Sequence, residues 1–175
     1  YSLSAGYYNQ RGIIINNDFS RFNIRGNIEL KPFKWLETGL TFNLNQTDRN
    51  TGMASWGVVS SALQGLPNFA VREEDGSWGK SGYDSETAVY QPNPVAKASI
   101  TQRKNMIYST RENLHLTIKP TEWLTWRNEV TLDYNIDNYR YLEPAYDLGG
   151  TIKTYATHEN SKTTNRYLSF KSVLT

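Results

Sequence analysis

Across residues 22–30, apolar and polar side chains alternate without a slip. Phe22, Ile24, Ile28 and Leu30 share one parity, with Gly26 in the gap; Arg21, Asn23, Arg25, Asn27 and Glu29 share the other. A period of two is that of a β-strand with one apolar face and one wet face. The pattern returns over 36–45, over 105–119, and over 124–137, where Leu124, Trp126, Val130, Leu132, Tyr134 and Ile136 take the apolar parity. It is also legible at the two ends, in Tyr1, Leu3, Ala5 and Tyr7 and in Leu168, Phe170 and Leu174. About six antiparallel strands are predicted, all of one fold class, all-β. A one-residue slip would carry Arg and Glu to the apolar side, so the register is strongly specified.

Two connections are short and alike. Glu29-Leu30-Lys31-Pro32-Phe33-Lys34-Trp35-Leu36 is echoed by Thr117-Ile118-Lys119-Pro120-Thr121-Glu122-Trp123-Leu124. Proline presets φ for a turn and cannot continue a central strand, so each phrase predicts a hairpin tip, the first at 31–34. The connections at the opposite ends are long, about 48–102 and 141–162. In the first, 54–64 is weakly helical, Leu66-Pro67 ends that helix, Asp75-Gly76 signals a hairpin turn, and Pro92-Asn93-Pro94 reads as extended loop. The second carries Pro144 and Gly149-Gly150. Ile13, Ile14 and Ile15 are expected to extend the first hairpin, between Gln10-Arg11-Gly12 and Asn16-Asn17-Asp18. Short turns at one end and long loops at the other are the asymmetry of a transmembrane β-barrel. Six strands are fewer than the eight of the smallest ordinary membrane barrels. Alternation already runs at Tyr1 and continues to Thr175, so the chain reads as an internal segment of a larger protein.

Composition supports that picture. The chain holds 12 Tyr and 5 Trp against 2 Met, and its mean hydropathy is -0.64. A polar lumen, polar loops and an aromatic girdle account for such a mixture better than a soluble core does. No apolar run of about 18 residues is present to make a membrane helix. A net charge of +2 gives no footprint for a nucleic-acid partner. The absence of Cys excludes disulfides and thiol chemistry.

One place breaks the alternation. Glu112 and Asn128 both fall on the apolar parity. If the second hairpin is centred on Pro120, these two lie side by side, and Arg111 and Glu129 form an ion pair on the wet face. Strict parity also sends Trp35 and Trp123 to the wet side, unless a bulge at the strand start reverses them.

An ordered set of segments resembles a known family. Asn9-Gln10-Arg11-Gly12-Ile13-Ile14, Asn16-Asn17-Asp18-Phe19-Ser20-Arg21-Phe22 and Lys34-Trp35-Leu36-Glu37-Thr38-Gly39 resemble the first barrel strands of SusC/RagA-type TonB-dependent transporters. Leu63-Gln64-Gly65-Leu66-Pro67, Glu74-Asp75-Gly76-Ser77-Trp78 and Asn93-Pro94 resemble the family's first long extracellular loop. The resemblance runs in order over essentially the whole chain. It implies a 22-stranded barrel in the outer membrane of Bacteroidetes-type bacteria, with short periplasmic turns and long extracellular loops. It implies a plug in the lumen, a SusD-like surface lipoprotein as lid, and TonB-driven import of oligosaccharides or peptides. The plug, the TonB contact and the remaining strands lie outside this chain. No cofactor and no enzymatic activity are implied.

Candidate site residues fall in two groups. The loop aromatics Trp56, Trp78, Tyr83 and Tyr90 offer stacking surface for a sugar or a lid protein; packing that holds a long loop together is the favoured role. On the wet face, Arg21, Arg25, Glu37, Arg111, Arg127 and Glu129 line the lumen, and with a plug in place they are read as wall-to-plug contacts. His115 and His158 lack metal-site spacing, and nothing forms a nucleophile elbow or triad. Glu73, Glu74 and Asp75 are adjacent loop acids, which do not flank a cleft as a glycosidase pair must. A passive porin-like barrel and a surface carbohydrate-binding or adhesin β-domain stay open as alternatives, as does a soluble sheet with one wet face.

Overall fold

The computed structural model describes residues 1–52, 55–65, 70–80, 92–148 and 152–175, with backbone only at Ser55 and Trp56. Its elements run β1 (Ser2–Arg11), β2 (Asp18–Phe33), β3 (Leu36–Asn50), α1 (Ser55–Gln64), α2 (Pro94–Ile100), β4 (Gln102–Thr121), β5 (Leu124–Glu143), β6 (Tyr146–Asp147), β7 (Ile152–Lys153) and β8 (Thr157–Leu174). Six strands form one antiparallel sheet in the order β1-β2-β3-β4-β5-β8. Every neighbour in the sheet is the next long strand in the sequence, which is the up-and-down path of a barrel wall. The sheet is open here, with β1 and β8 as its edges.

Both repeated phrases fold alike. The turns lie at Lys34-Trp35 and Glu122-Trp123, two residues beyond each proline. The ladder shifts between Leu30 and Phe33 in the first and between Ile118 and Thr121 in the second. Pro32 and Pro120 occupy these irregular stretches, where a missing N–H breaks no regular ladder bond. Trp35 and Trp123 sit in the turns themselves, outside strand parity, and Trp35 stacks on Phe33 with ring centroids 5.3 Å apart.

This placement corrects the expected register of β4 with β5. Arg111 pairs with Asp133 rather than Glu129, Glu112 faces Leu132, and Asn128 faces Leu116. Glu112 and Asn128 are therefore apart. Glu112 accepts a hydrogen bond from the Thr110 hydroxyl at 3.2 Å. Asn128 accepts one from Ser172 at 2.8 Å, and Ser172 accepts from the Trp126 indole at 2.9 Å.

Three other expectations change. Ile13, Ile14 and Ile15 do not lengthen the first hairpin; they form its tip, with Asn16 in the left-handed region at φ 59°. Pro92-Asn93-Pro94 is not simply extended, because Asn93 caps α2. The strands also reach further than the sequence pattern: β4 begins at Gln102, and β8 starts at Thr157, which shortens the second connection to 144–156. Tyr-rich and Asn-rich strand ends hide the alternation there.

The apolar parity forms an outward band six side chains tall. Its first row is Leu36, Ile118, Trp126 and Leu174; its sixth is Tyr7, Phe22, Gln46, Tyr108, Ile136 and Thr164. Ten residues at about 3.4 Å each, tilted by about 40°, give a band about 26 Å high, close to the apolar belt of a membrane barrel. Among the described residues, the buried apolar side chains are Val58, Ala96, Ala98 and Leu148, all outside the long strands. The sheet's own apolar face is bare: Leu3, Phe22, Leu114 and Leu168 are all exposed. Phe42 lies over Gly26, where a Cβ would come within 2.4 Å of its ring.

Candidate functional site

Two surfaces carry the chemistry: the polar face of the sheet, and the assembly of connections at its loop end.

On the polar face, the aligned strands bring charges together in cross-strand groups. Arg111 binds Asp133 through two hydrogen bonds, Nε to Oδ1 at 2.6 Å and an Nη to Oδ2 at 3.1 Å. Glu129 accepts from Asn113 Nδ2 at 2.7 Å, the same nitrogen donates to Thr131 at 2.8 Å, and Arg127 Nε lies 3.9 Å from Glu129. His115 turns away from Glu129, its partner on β5, and reaches across β3 to Glu29 on β2, with Nε2 at 3.2 Å from Oε2. Gly39 on β3 makes this possible: a Cβ there would come within 2.3 Å of the His115 ring and 2.5 Å of Glu29. At the turn end, Glu37 Oε1 accepts from Lys31 at 3.1 Å and from Lys119 at 3.0 Å. The two lysines hold the same place in the two repeated phrases, so one carboxylate ties both hairpins together.

Of the wet-face candidates, Arg111, Arg127, Glu129 and Glu37 thus enter cross-strand or near-neighbour pairs. Arg21 and Arg25 are exposed on β2 and form no ion pair with any described residue. Further along the same face, Arg103 Nε and one oxygen each of Asn105, Asn135 and Asp137 are covered and hold no hydrogen-bond partner.

The loop end is an organised body. The Asn93 side chain makes four hydrogen bonds. Its Nδ2 donates to the carbonyls of Val71 and Gly79 at 2.9 and 3.1 Å; its Oδ1 accepts from the amides of Val95 and Ala96, both at 3.1 Å. One side chain therefore caps α2 and fastens it to the segment around Trp78. That segment is the hairpin signalled by Asp75-Gly76: Arg72 bridges to Trp78, Gly76 takes φ 81°, and Ser77 hydrogen-bonds the Asp75 carboxylate. The Ser77 hydroxyl first, and then its amide, hold the Asp75 pKa below the ordinary range. The Arg72 guanidinium covers Trp78 at 3.3 Å from the ring centroid, so this indole packs within the loop. Lys80 meets Asp147 at 2.6 Å and joins the two long connections, while Asn16 donates to the Ala98 carbonyl at 3.1 Å and joins the short one. Trp56 lies on α1, and its side chain is outside the description; Tyr83 and Tyr90 lie outside the described residues.

A second cluster braces the later connection. Glu143 accepts from Lys153 and from Tyr141 at 2.9 Å, and Lys153 also donates to Thr157 at 2.7 Å. Burial raises the Glu143 pKa, but these donors outweigh it and hold the group below its usual value of 4.5; burial pushes Tyr146 upward.

The sequence reading takes Asn93 for extended loop and misses its cap, although Asn followed by Pro is a helix-start signal. The Gly39 passage and the Lys80–Asp147 bridge join residues far apart in sequence and left no local signal. Among the described residues, no three His, Cys, Asp or Glu side chains converge on a metal-sized space. The arrangement can bind polar groups along a wall.

No family model matches the chain. Curated relatives do. TonB-dependent receptor P26 of Formosa agariphila is 25% identical over 138 residues, covering 79% of this chain and 13% of the relative. TonB-dependent receptor P3 of the same organism is 26% identical over 176 aligned positions, covering 94% of this chain and 17% of the relative. The chain therefore spans less than a fifth of the length of these relatives. An open, up-and-down antiparallel sheet with a bare apolar face is what a stretch of barrel wall should look like, and in sequence this chain resembles TonB-dependent receptors over most of its length.

Proposed function

We propose that this chain is part of the wall of an outer-membrane, TonB-dependent nutrient importer of the SusC type, with residues 1–175 forming early strands of its barrel. The carrying observation is the apolar band, about 26 Å high on one face only, backed by a face of Asn, Thr, Arg and Glu. Outward side chains meet lipid. The turn end is periplasmic and the loop end extracellular. The inward face packs against a plug outside this chain, and the plug carries the contact with the TonB complex.

In this reading Arg21 and Arg25, which have no acidic partner among the described residues, are contacts for plug carboxylates or carbonyls. The internal pairs of Arg111 with Asp133 and of Arg127 with Glu129 stiffen the wall between such contacts. Trp78, fixed beneath Arg72, shapes a loop surface facing a SusD-like lipoprotein or the cargo. Tyr83 and Tyr90 belong to the same loop. Cargo is an oligosaccharide or a peptide, taken up without chemical change.

The test uses the full-length protein in native outer membranes. Single cysteines are placed outward at Leu114 and Val130 and inward at Asn113 and Thr131, then labelled with a fluorophore. Lipid-buried nitroxides should quench the outward pair and spare the inward pair. Deleting the gene, or collapsing the proton-motive force, should abolish uptake of the labelled oligosaccharide or peptide that supports growth. Equal quenching of neighbours would sink the wall reading. Uptake that survives loss of the proton-motive force would leave a passive barrel instead.

A further inference from the structure

We propose that the outward face of β4, β5 and β8, just past the apolar band at the loop end, binds a phosphorylated lipid headgroup. The proposal rests on the membrane reading above. The sixth row ends the band; the next two rows on these strands carry Met106, Asn138 and Lys162, then Lys104, Arg140 and Asn160. Lys104 and Arg140 are direct cross-strand partners, and Lys162 is diagonal to Arg140. Their Cβ atoms are therefore spaced by about 5 and about 7–8 Å, a patch of phosphate size for side chains this long.

Three features separate this patch from an ordinary solvated rim. All three cations are exposed, and none forms an ion pair or side-chain hydrogen bond with a described residue. Acid is absent from these two rows on β4, β5 and β8, whereas on β1 to β3 the same rows mix Arg11 with Asp18 and Asp48. The nearest carboxylate on this face, Asp48, is diagonal to Lys104 and does not bridge to it. Lower on β8, exposed Arg166 faces outward inside the band, its guanidinium 6.0 Å from the Tyr134 ring; a side chain this long snorkels toward the headgroup level. Unneutralised cations at the edge of an apolar belt meet the phosphates of the adjoining leaflet, and each contributes roughly a fivefold preference for an anionic surface.

The experiment is native mass spectrometry of the detergent-extracted full-length protein, titrated with diphosphorylated lipid A and with its dephosphorylated form. The phosphorylated lipid should bind on the order of 100-fold more tightly. The triple variant Lys104→Gln, Arg140→Gln, Lys162→Gln should lose that preference, while Lys34→Gln with Lys171→Gln should keep it. Inorganic phosphate at millimolar concentration should not displace the lipid; displacement would assign the site to a free anion and overturn the lipid proposal. Equal binding of the two lipids, or an unchanged triple variant, also overturns it. A protein that needs detergent yet shows no phosphate preference loses only this site. A protein soluble without detergent that takes up neither lipid loses the wall reading with it.

Discussion

Asn93 shows how much one side chain can organise. It is 7% exposed and uses donor and acceptor together, holding the first turn of α2 to two carbonyls of the Trp78 segment. Asn93→Ala removes the cap and leaves the Val71 and Gly79 carbonyls without their donor. The expected cost is about 1–3 kcal/mol, confined to the loop end. Hydrogen exchange should rise over 70–80 and 92–101 while β4 and β5 keep their protection; a uniform rise would refute the local role. Gly39 is the counterpart inside the sheet. Gly39→Ala would push the flexible ends of His115 and Glu29 apart, so the pair is lost while the strand ladder stays.

At the scale of elements, alternation made the strands readable and punctuation misled their ends. Proline was taken as the turn itself, whereas Pro32 and Pro120 mark bulges and the turns follow them. That offset moved the β4–β5 register and replaced Glu129 by Asp133 as the partner of Arg111. Parity survived, because the shift was an even number of residues; this is why the two faces were legible when the pairings were not. The cross-connection contacts were not legible at all, since Lys80 and Asp147, or Asn16 and Ala98, meet only through the fold. The small β6–β7 hairpin offers a test at this scale. Glu143 has its pKa lowered in the fold, so its contribution is complete above about pH 4.5 and is lost as pH falls through the lower folded value. The protection of the Tyr146, Asp147, Ile152 and Lys153 amides, taken relative to the intrinsic exchange rate at each pH, should be flat from neutral pH down to that point and fall below it. Glu143→Gln should weaken the hairpin at neutral pH by about 1–3 kcal/mol and flatten the acid response.

At the scale of the whole molecule, the question is what covers the apolar face. In a soluble sheet a core would cover it, and a buried charge would be costly wherever it was placed. In a barrel wall the cost follows depth: about 2–4 kcal/mol for Arg or Lys at the middle of the bilayer, and about 0–1 kcal/mol near the interfaces. The register places Leu114 and Val130 on the third row, Ile118 and Trp126 on the first, and Tyr108 on the sixth. Leu114→Arg and Val130→Arg should therefore each destabilise the full-length protein in lipid vesicles by about 2–4 kcal/mol, with Ile118→Arg and Tyr108→Arg costing about 1 kcal/mol or less. Thr131→Arg, beside Val130 but on the wet face, should cost little. Denaturant titration in vesicles reads all five. A cost that is greatest on the middle rows, falls toward both the first and the sixth, and vanishes on Thr131 is what a membrane requires; a cost equal at Leu114 and Tyr108 would mean that protein, not lipid, lies against this face. Glu112 already stands on the fourth row, where, among the described residues, its side chain is tied to Thr110 alone. Glu112→Leu should accordingly stabilise a wall that faces lipid there, and destabilise one whose neighbour supplies a partner for the carboxylate.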